Sequence, residues 1–298
     1  MRRIATLAAV LLLALSTAAA AQTTGTGVTT RATGTGAATQ ATGTGAPDAL
    51  YAAQTIITGQ DNLPERERGF REALAEVILR LTADPAAPAS PAGRSLLSEP
   101  TRYVAAFELE DRKKGIQISD EQGSRDRSFF LRVRFDRDRL KPAMEAAGLT
   151  VWEAPRPPVT VALGIDDGIR RYVLTDGSER GYGQRETLRS LAARRVAPLV
   201  LPGEPPPVSY DDLSPAEPAR LPDLRRRLGA ELLLAGSLVM DEGGRWTLKW
   251  AVDPPAGPAA TGVERGSFDA ALRAAMDGAL AQARALSPQG AAPRSPRP

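Results

Sequence analysis

The chain has 298 residues, with 38 Lys and Arg against 35 Asp and Glu, and neither histidine nor cysteine. Without those two residue types no Ser-His-Asp triad, Cys-His pair, imidazole or thiolate metal ligand, or disulfide can be built. Acidic and basic residues alternate, as in Glu65-Arg66-Glu67-Arg68 and Arg125-Asp126-Arg127. That is the pattern of a solvated surface rather than the concentrated basic face of a nucleic-acid binder, so no nucleic-acid partner is expected.

The first residues read as a secretory signal. Arg2 and Arg3 precede an apolar run, residues 7–15 (LAAVLLLAL), and small residues end at Ala19-Ala20-Ala21. The run is about half of the ~20 residues a membrane-spanning helix needs, so cleavage near Ala21 and a periplasmic product are expected. With no cysteine at the cleavage site the mature product is expected to be soluble rather than lipidated. Removing Arg2 and Arg3 leaves its net charge near +1. Residues 22–48 repeat Thr-Gly-Thr-Gly from Thr24, Thr33 and Thr42, and so little apolar surface predicts a disordered tether.

Folded structure is predicted from about residue 49. Residues 50–58 read as a strand, and 64–81 as a helix with the apolar stripe Phe70, Leu74, Val77, Ile78, Leu81. A Pro/Ala-rich loop and a short helix over 102–107 follow, then a polar loop or excursion over 113–127. The clearest strand is 128–135, with Phe129, Leu131, Val133 and Phe135 on one side and Phe130, Arg132 and Arg134 on the other. A helix to Ala147, started by Asp136 or Asp138, closes this block. The cluster Pro155-Arg156-Pro157-Pro158 marks a domain boundary, giving a first α+β domain over 49–154 and a second α/β domain over 155–286.

In the second block strands are predicted at 159–165, 172–174, 197–201, 231–240, 246–252 and 261–266. Helices are predicted at 184–195, 221–228 and 267–286, and residues 287–298 as a disordered tail. The expected fold class is therefore α/β (α+β), in two small sheet-plus-helix sandwiches.

The best candidate for chemistry is Asp166-Asp167, at the end of a predicted strand, where paired carboxylates could hold Mg²⁺ or Ca²⁺. The plainer reading is the strand-ending turn Asp166-Asp167-Gly168, which needs no ligand. Asp211-Asp212 lies in a proline-rich loop. Arg225-Arg226-Arg227 points around a short helix rather than at one spot, and Trp246 and Trp250 share a strand face suited to packing under a helix.

The order of these segments, from residues 70–82 (FREALAEVILRLT) through Arg102-Tyr103-Val104, residues 131–136 (LRVRFD), Val151-Trp152, Asp166-Asp167-Gly168 and residues 198–202 (PLVLP) to residues 232–238 (LLLAGSL), resembles an exported proteobacterial family, domain of unknown function 2066, across residues 50–286. The resemblance implies an envelope location and supplies no activity, cofactor or site residue. The chain is thus expected to be a non-enzymatic periplasmic module that binds another envelope protein, with no cofactor. The alternative is a carboxylate-dependent enzyme or cation-binding module centred on Asp166 and Asp167.

Overall fold

The computed structural model describes residues 46–114, 127–213, 218–254 and 257–287. The signal segment, most of the Thr/Gly repeat, the centre of the 113–127 excursion and the end of the tail lie outside the described residues. The fold is mixed α/β, with two sheets in one compact unit. Among the described residues no helix is long and apolar enough to cross a membrane.

The first layer comprises α1 (Ala46–Leu50), β1 (Ala52–Thr58), α2 (Leu63–Thr82), α3 (Pro91–Ser98), β2 (Val104–Asp111), β3 (Ser128–Phe135) and α4 (Arg137–Ala146). The strands form an antiparallel sheet in the order β1-β3-β2, with Thr55 and Leu109 both opposite Leu131. The expected stripe on α2 packs against Ile57, Leu131 and Val133 and makes the core of this layer. Helix and sheet meet closely at Gly69, where a β-carbon would lie 2.6 Å from both Ile57 Cγ2 and Leu131 Cδ2. Asn62 caps the start of α2 by accepting the Glu65 N–H at 3.2 Å.

Two expectations fail here. Residues 102–107 are not a helix: a 3-10 turn over Pro100–Tyr103 gives way directly to β2. Arg102, Ala105 and Ala106 favour a helix in isolation, but pairing with β3 places Phe107 and Leu109 toward α2 and overrides local preference. The Pro/Ala-rich loop likewise contains α3, capped by Ser90, whose hydroxyl accepts the Gly93 N–H at 3.0 Å.

The second layer comprises β4 (Val159–Asp166), β5 (Arg171–Val173), α5 (Tyr182–Arg195), β6 (Leu199–Val200), α6 (Tyr210–Leu213), α7 (Leu221–Arg227), β7 (Leu232–Met240), β8 (Trp246–Asp253), β9 (Ala260–Gly266) and α8 (Phe268–Leu286). Its sheet runs β5-β4-β7-β8-β9, with β6 also paired to β4. The β4–β7 and β4–β6 pairs are parallel and the rest antiparallel. β4 and β7 are buried almost end to end because helices cover both faces. Val161, Leu163, Leu234 and Leu238 pack with α5 and α8, while Ala162, Leu233 and Ala235 pack with Leu213 of α6 and Leu221 and Leu224 of α7. Trp250 lies against α8 as its parity implied: β-carbons built at Gly262 and Gly278 would fall 2.4 and 2.6 Å from its indole.

Arginines join the layers at the C-terminal end of α2. The Trp152 backbone N–H donates to the Leu81 carbonyl at 2.7 Å, the Arg156 side chain donates to the Arg80 carbonyl at 2.7 Å, and the Arg284 side chain of α8 donates to the Thr82 carbonyl. These are last-turn carbonyls with no partner inside the helix, and cations suit that end of the helix dipole.

Candidate functional site: the open face of the three-stranded sheet

Strand alternation gives the first sheet two unlike faces. α2 covers the inner one, whereas Gln54, Ile56, Phe130, Arg132, Arg134, Ala106, Glu108 and Glu110 point outward. Ile56 is 43% exposed on this side. Arg132 is tethered, donating to Gln54 Oε1 at 3.1 Å and pairing with Glu110 at 2.5 Å. Arg134 and Glu108 are exposed, and neither side chain has a hydrogen bond or ion pair among the described residues.

Small residues turn this face into a cleft. Ala52, Ala106, Gln54, Glu108, Arg132 and Arg134 line a space of about 540 Å³, bounded at one end by Arg80 and by Ala193 and Arg194 of α5. Two alanines, Ala52 and Ala106, both opposite Arg134, keep the floor low beside β3. The volume lies within the ~300–1,000 Å³ typical of ligand pockets.

The sheet's two edges also differ. Arg80 donates to the Ala52 carbonyl at 2.6 Å and Arg68 to the Ile56 carbonyl at 2.9 Å, so side chains of α2 occupy carbonyls of β1. Among the described residues no strand pairs with the other edge of β2. Phe107, on β2, is 42% exposed; its ring meets Phe70 edge-on at 5.3 Å, with the Arg66 guanidinium 5.4 Å away. The outward parity of Phe130, Arg132 and Arg134 was legible in the sequence. The site was not, because β2, which supplies its other wall, reads locally as helix.

Asp166 and Asp167 meet in one turn between β4 and β5. Asp166 accepts the Gly168 N–H at 3.1 Å and Arg171 Nε at 2.9 Å, and the Arg171 hydrogen bond is the main reason its carboxyl sits below the usual range. Asp167 Oδ1 accepts the Ile169 and Arg170 N–H groups at 3.0 and 2.8 Å. Among the described residues no group of three acidic side chains gathers as a metal site. Because these oxygens are engaged within the turn, millimolar Ca²⁺ or Mg²⁺ is expected to leave the melting temperature of the protein unchanged. A rise that disappears in the Asp166→Asn/Asp167→Asn variant would instead establish a cation site.

The arginine run points three ways: Arg225 pairs with Asp253 at 2.7 Å, Arg226 with Asp223, and Arg227 with Asp212 at 3.1 Å. The Arg227 hydrogen bond is the main cause holding the Asp212 carboxyl well below the ordinary range, aided by Ser209.

A family model described as "Domain of unknown function (DUF8605)" matches residues 46–153, the first layer and the start of the connecting segment. It is a different family of unknown function from the one the sequence resembles, and the match stops before the proline cluster instead of running to residue 286. No curated protein matches. The LpoB C-terminal domain from Salmonella enterica is a solved structure to which the chain is similar at 18% identity, over 42% of this chain and 90% of that chain, with a TM-score of 0.23. The family match falls on the layer that carries the open face.

Proposed function

We propose that this chain is a non-catalytic binding protein of the bacterial periplasm, exported by the signal expected at its start. It seats an extended segment of another envelope protein on the outer face of the first sheet. The observation that carries this reading is the cleft over Ala52 and Ala106, where Arg134 and Glu108 offer one free charge of each sign. An extended segment lying on such a surface can set alternate side chains into the cleft. Arg134 selects a carboxylate on the incoming segment, since a guanidinium can donate to it through two N–H groups.

The reading is tested with a photo-crosslinking residue at Ala106 in cells, after fractionation and N-terminal sequencing of the mature protein. Periplasmic recovery of a product starting near residue 22 is expected, with one discrete adduct. Arg134→Glu is expected to reduce that adduct at least about tenfold, the order expected for losing a charge-assisted contact. Arg265→Glu, an exposed change on β9 of the second layer, is expected to leave it intact. An adduct insensitive to Arg134→Glu, or no adduct at all, would overturn the assignment.

A further inference from the structure

A second cleft, of about 420 Å³, opens where the chain passes from the first layer to the second. Its walls include Trp152 and Pro157 of the connecting segment, Leu232 of β7, and Ala283 and Leu286 of α8, with Arg156 among them. Arg156 is only 8% exposed, and its guanidinium stacks on the Trp152 ring at 4.6 Å. Among the described residues its hydrogen bond goes to the Arg80 carbonyl and it forms no ion pair, while its remaining donors are not sealed from solvent.

A buried charge is normally paired, because desolvation otherwise disfavours it strongly. Arg195, in the same seam between the layers, follows that rule with Glu76 and Asp277. Arg156 does not. Burial, and then the neighbouring charge of Arg80, push its pKa down to about 10. Arg80 is itself a cation, held by the carbonyls of Ala49, Leu50, Ala52 and Arg194 with the charge of Glu76 nearby, so it supplies Arg156 no counter-charge.

We infer that this cleft binds the carboxylate of an aliphatic acid, with the carboxylate on Arg156 and the hydrocarbon against Leu232, Ala283 and Leu286. Proline walls lack N–H donors and have fixed φ, so they present a preformed apolar surface at little ordering cost. Exposed Glu231, which also lines the cleft, disfavours a second negative charge and so selects a monoanion over a dianionic phosphate. This site is separate from the sheet face, and neither assignment depends on the other.

The test is calorimetric titration of the mature protein with decanoate, decanol, decyl phosphate and decyltrimethylammonium, each below its micelle-forming concentration. One decanoate per chain is expected, with decanol and decyl phosphate at least about tenfold weaker and no binding of the cation. Arg156→Gln is expected to weaken decanoate by about tenfold or more. Because Arg156 also holds the end of α2, Leu286→Glu provides a second variant: it places a repelling charge on a wall that is 37% exposed and leaves that contact intact. The same loss is expected there. Undiminished binding to Leu286→Glu, equal affinity for decanol, or no heat with decanoate would each overturn the inference.

Discussion

Replacing Arg195 with methionine is expected to destabilise the protein by about 3–5 kcal/mol, the cost of removing one member of a buried charge cluster. Arg195 ends α5 and is 3% exposed. It reaches Asp277 of α8 with two hydrogen bonds, Nε to Oδ1 at 2.7 Å and NH2 to Oδ2 at 3.2 Å, and donates to Glu76 of α2 through NH1. Burial acts to lower the Arg195 pKa, but the hydrogen bond and charge of Asp277, with those of Glu76, outweigh it and raise the value. Three helices thus meet at one cation. Methionine fills much of the same volume, strands the buried Asp277 carboxylate and leaves Glu76 only its pair with Arg194, so the loss comes from desolvated charge rather than from a void. Urea unfolding at neutral pH reads the effect directly. A combined Glu76→Leu/Arg195→Met/Asp277→Leu variant should recover most of it, because an apolar cluster of similar volume replaces a buried ionic one at little or no net cost. A loss below about 1 kcal/mol in the single variant would mean that water reaches the cluster.

These buried arginines are the part of the structure least legible in the sequence. Period and parity place α2, β3, β4, β7, β8 and α8 because each buries one continuous stripe or run. Nothing in a local window distinguishes Arg80 and Arg195 from the solvated arginines around them. Their acceptors lie far away along the chain: Arg80 bonds to Ala52 and Arg194, and Arg195 to Glu76 and Asp277. The same distance effect hid β2. Its outward residues Ala106, Glu108 and Glu110 and inward residues Phe107 and Leu109 alternate, yet their composition favours a helix until β3 pairs with them. The candidate site was therefore half visible, as the outward side of β3, and lacked the neighbour that turns a row of side chains into a cleft. In α3, Pro91-Ala92-Gly93 reads as a loop for a related reason. A β-carbon at Gly93 would come within 2.1 Å of the Ala87 carbonyl, so glycine is needed there for the helix to lie against the preceding turn.

Acid is expected to release a second set of long-range contacts, those of Glu153. This carboxylate accepts the Tyr51 hydroxyl at 2.9 Å, Arg137 Nε at 2.8 Å and Lys141 Nζ at 2.6 Å. It thereby ties the start of β1 and two successive turns of α4 to the segment leading into the second layer. Burial alone would raise its pKa, but hydrogen bonds from Arg137, Lys141 and Tyr51 prevail and lower it from 4.5 to about 2. Burial and the same carboxylate hold the Tyr51 hydroxyl well above the ordinary tyrosine range. A depressed carboxyl pKa contributes stability that is fully present above the unfolded value and is lost as pH falls through the folded one. The Glu153 contribution, on the order of 2–3 kcal/mol, should therefore disappear between about pH 4.5 and about pH 2. Other carboxylates, Asp212 among them, also titrate below their usual range, so the acid limb of the wild type alone does not isolate Glu153. The difference between wild type and Glu153→Gln does, because those groups contribute equally to both. Urea midpoints should differ by the full amount at pH 7 and converge as pH approaches 2. Curves that stay parallel across this range would show that Glu153 gains nothing from its three partners in the folded state.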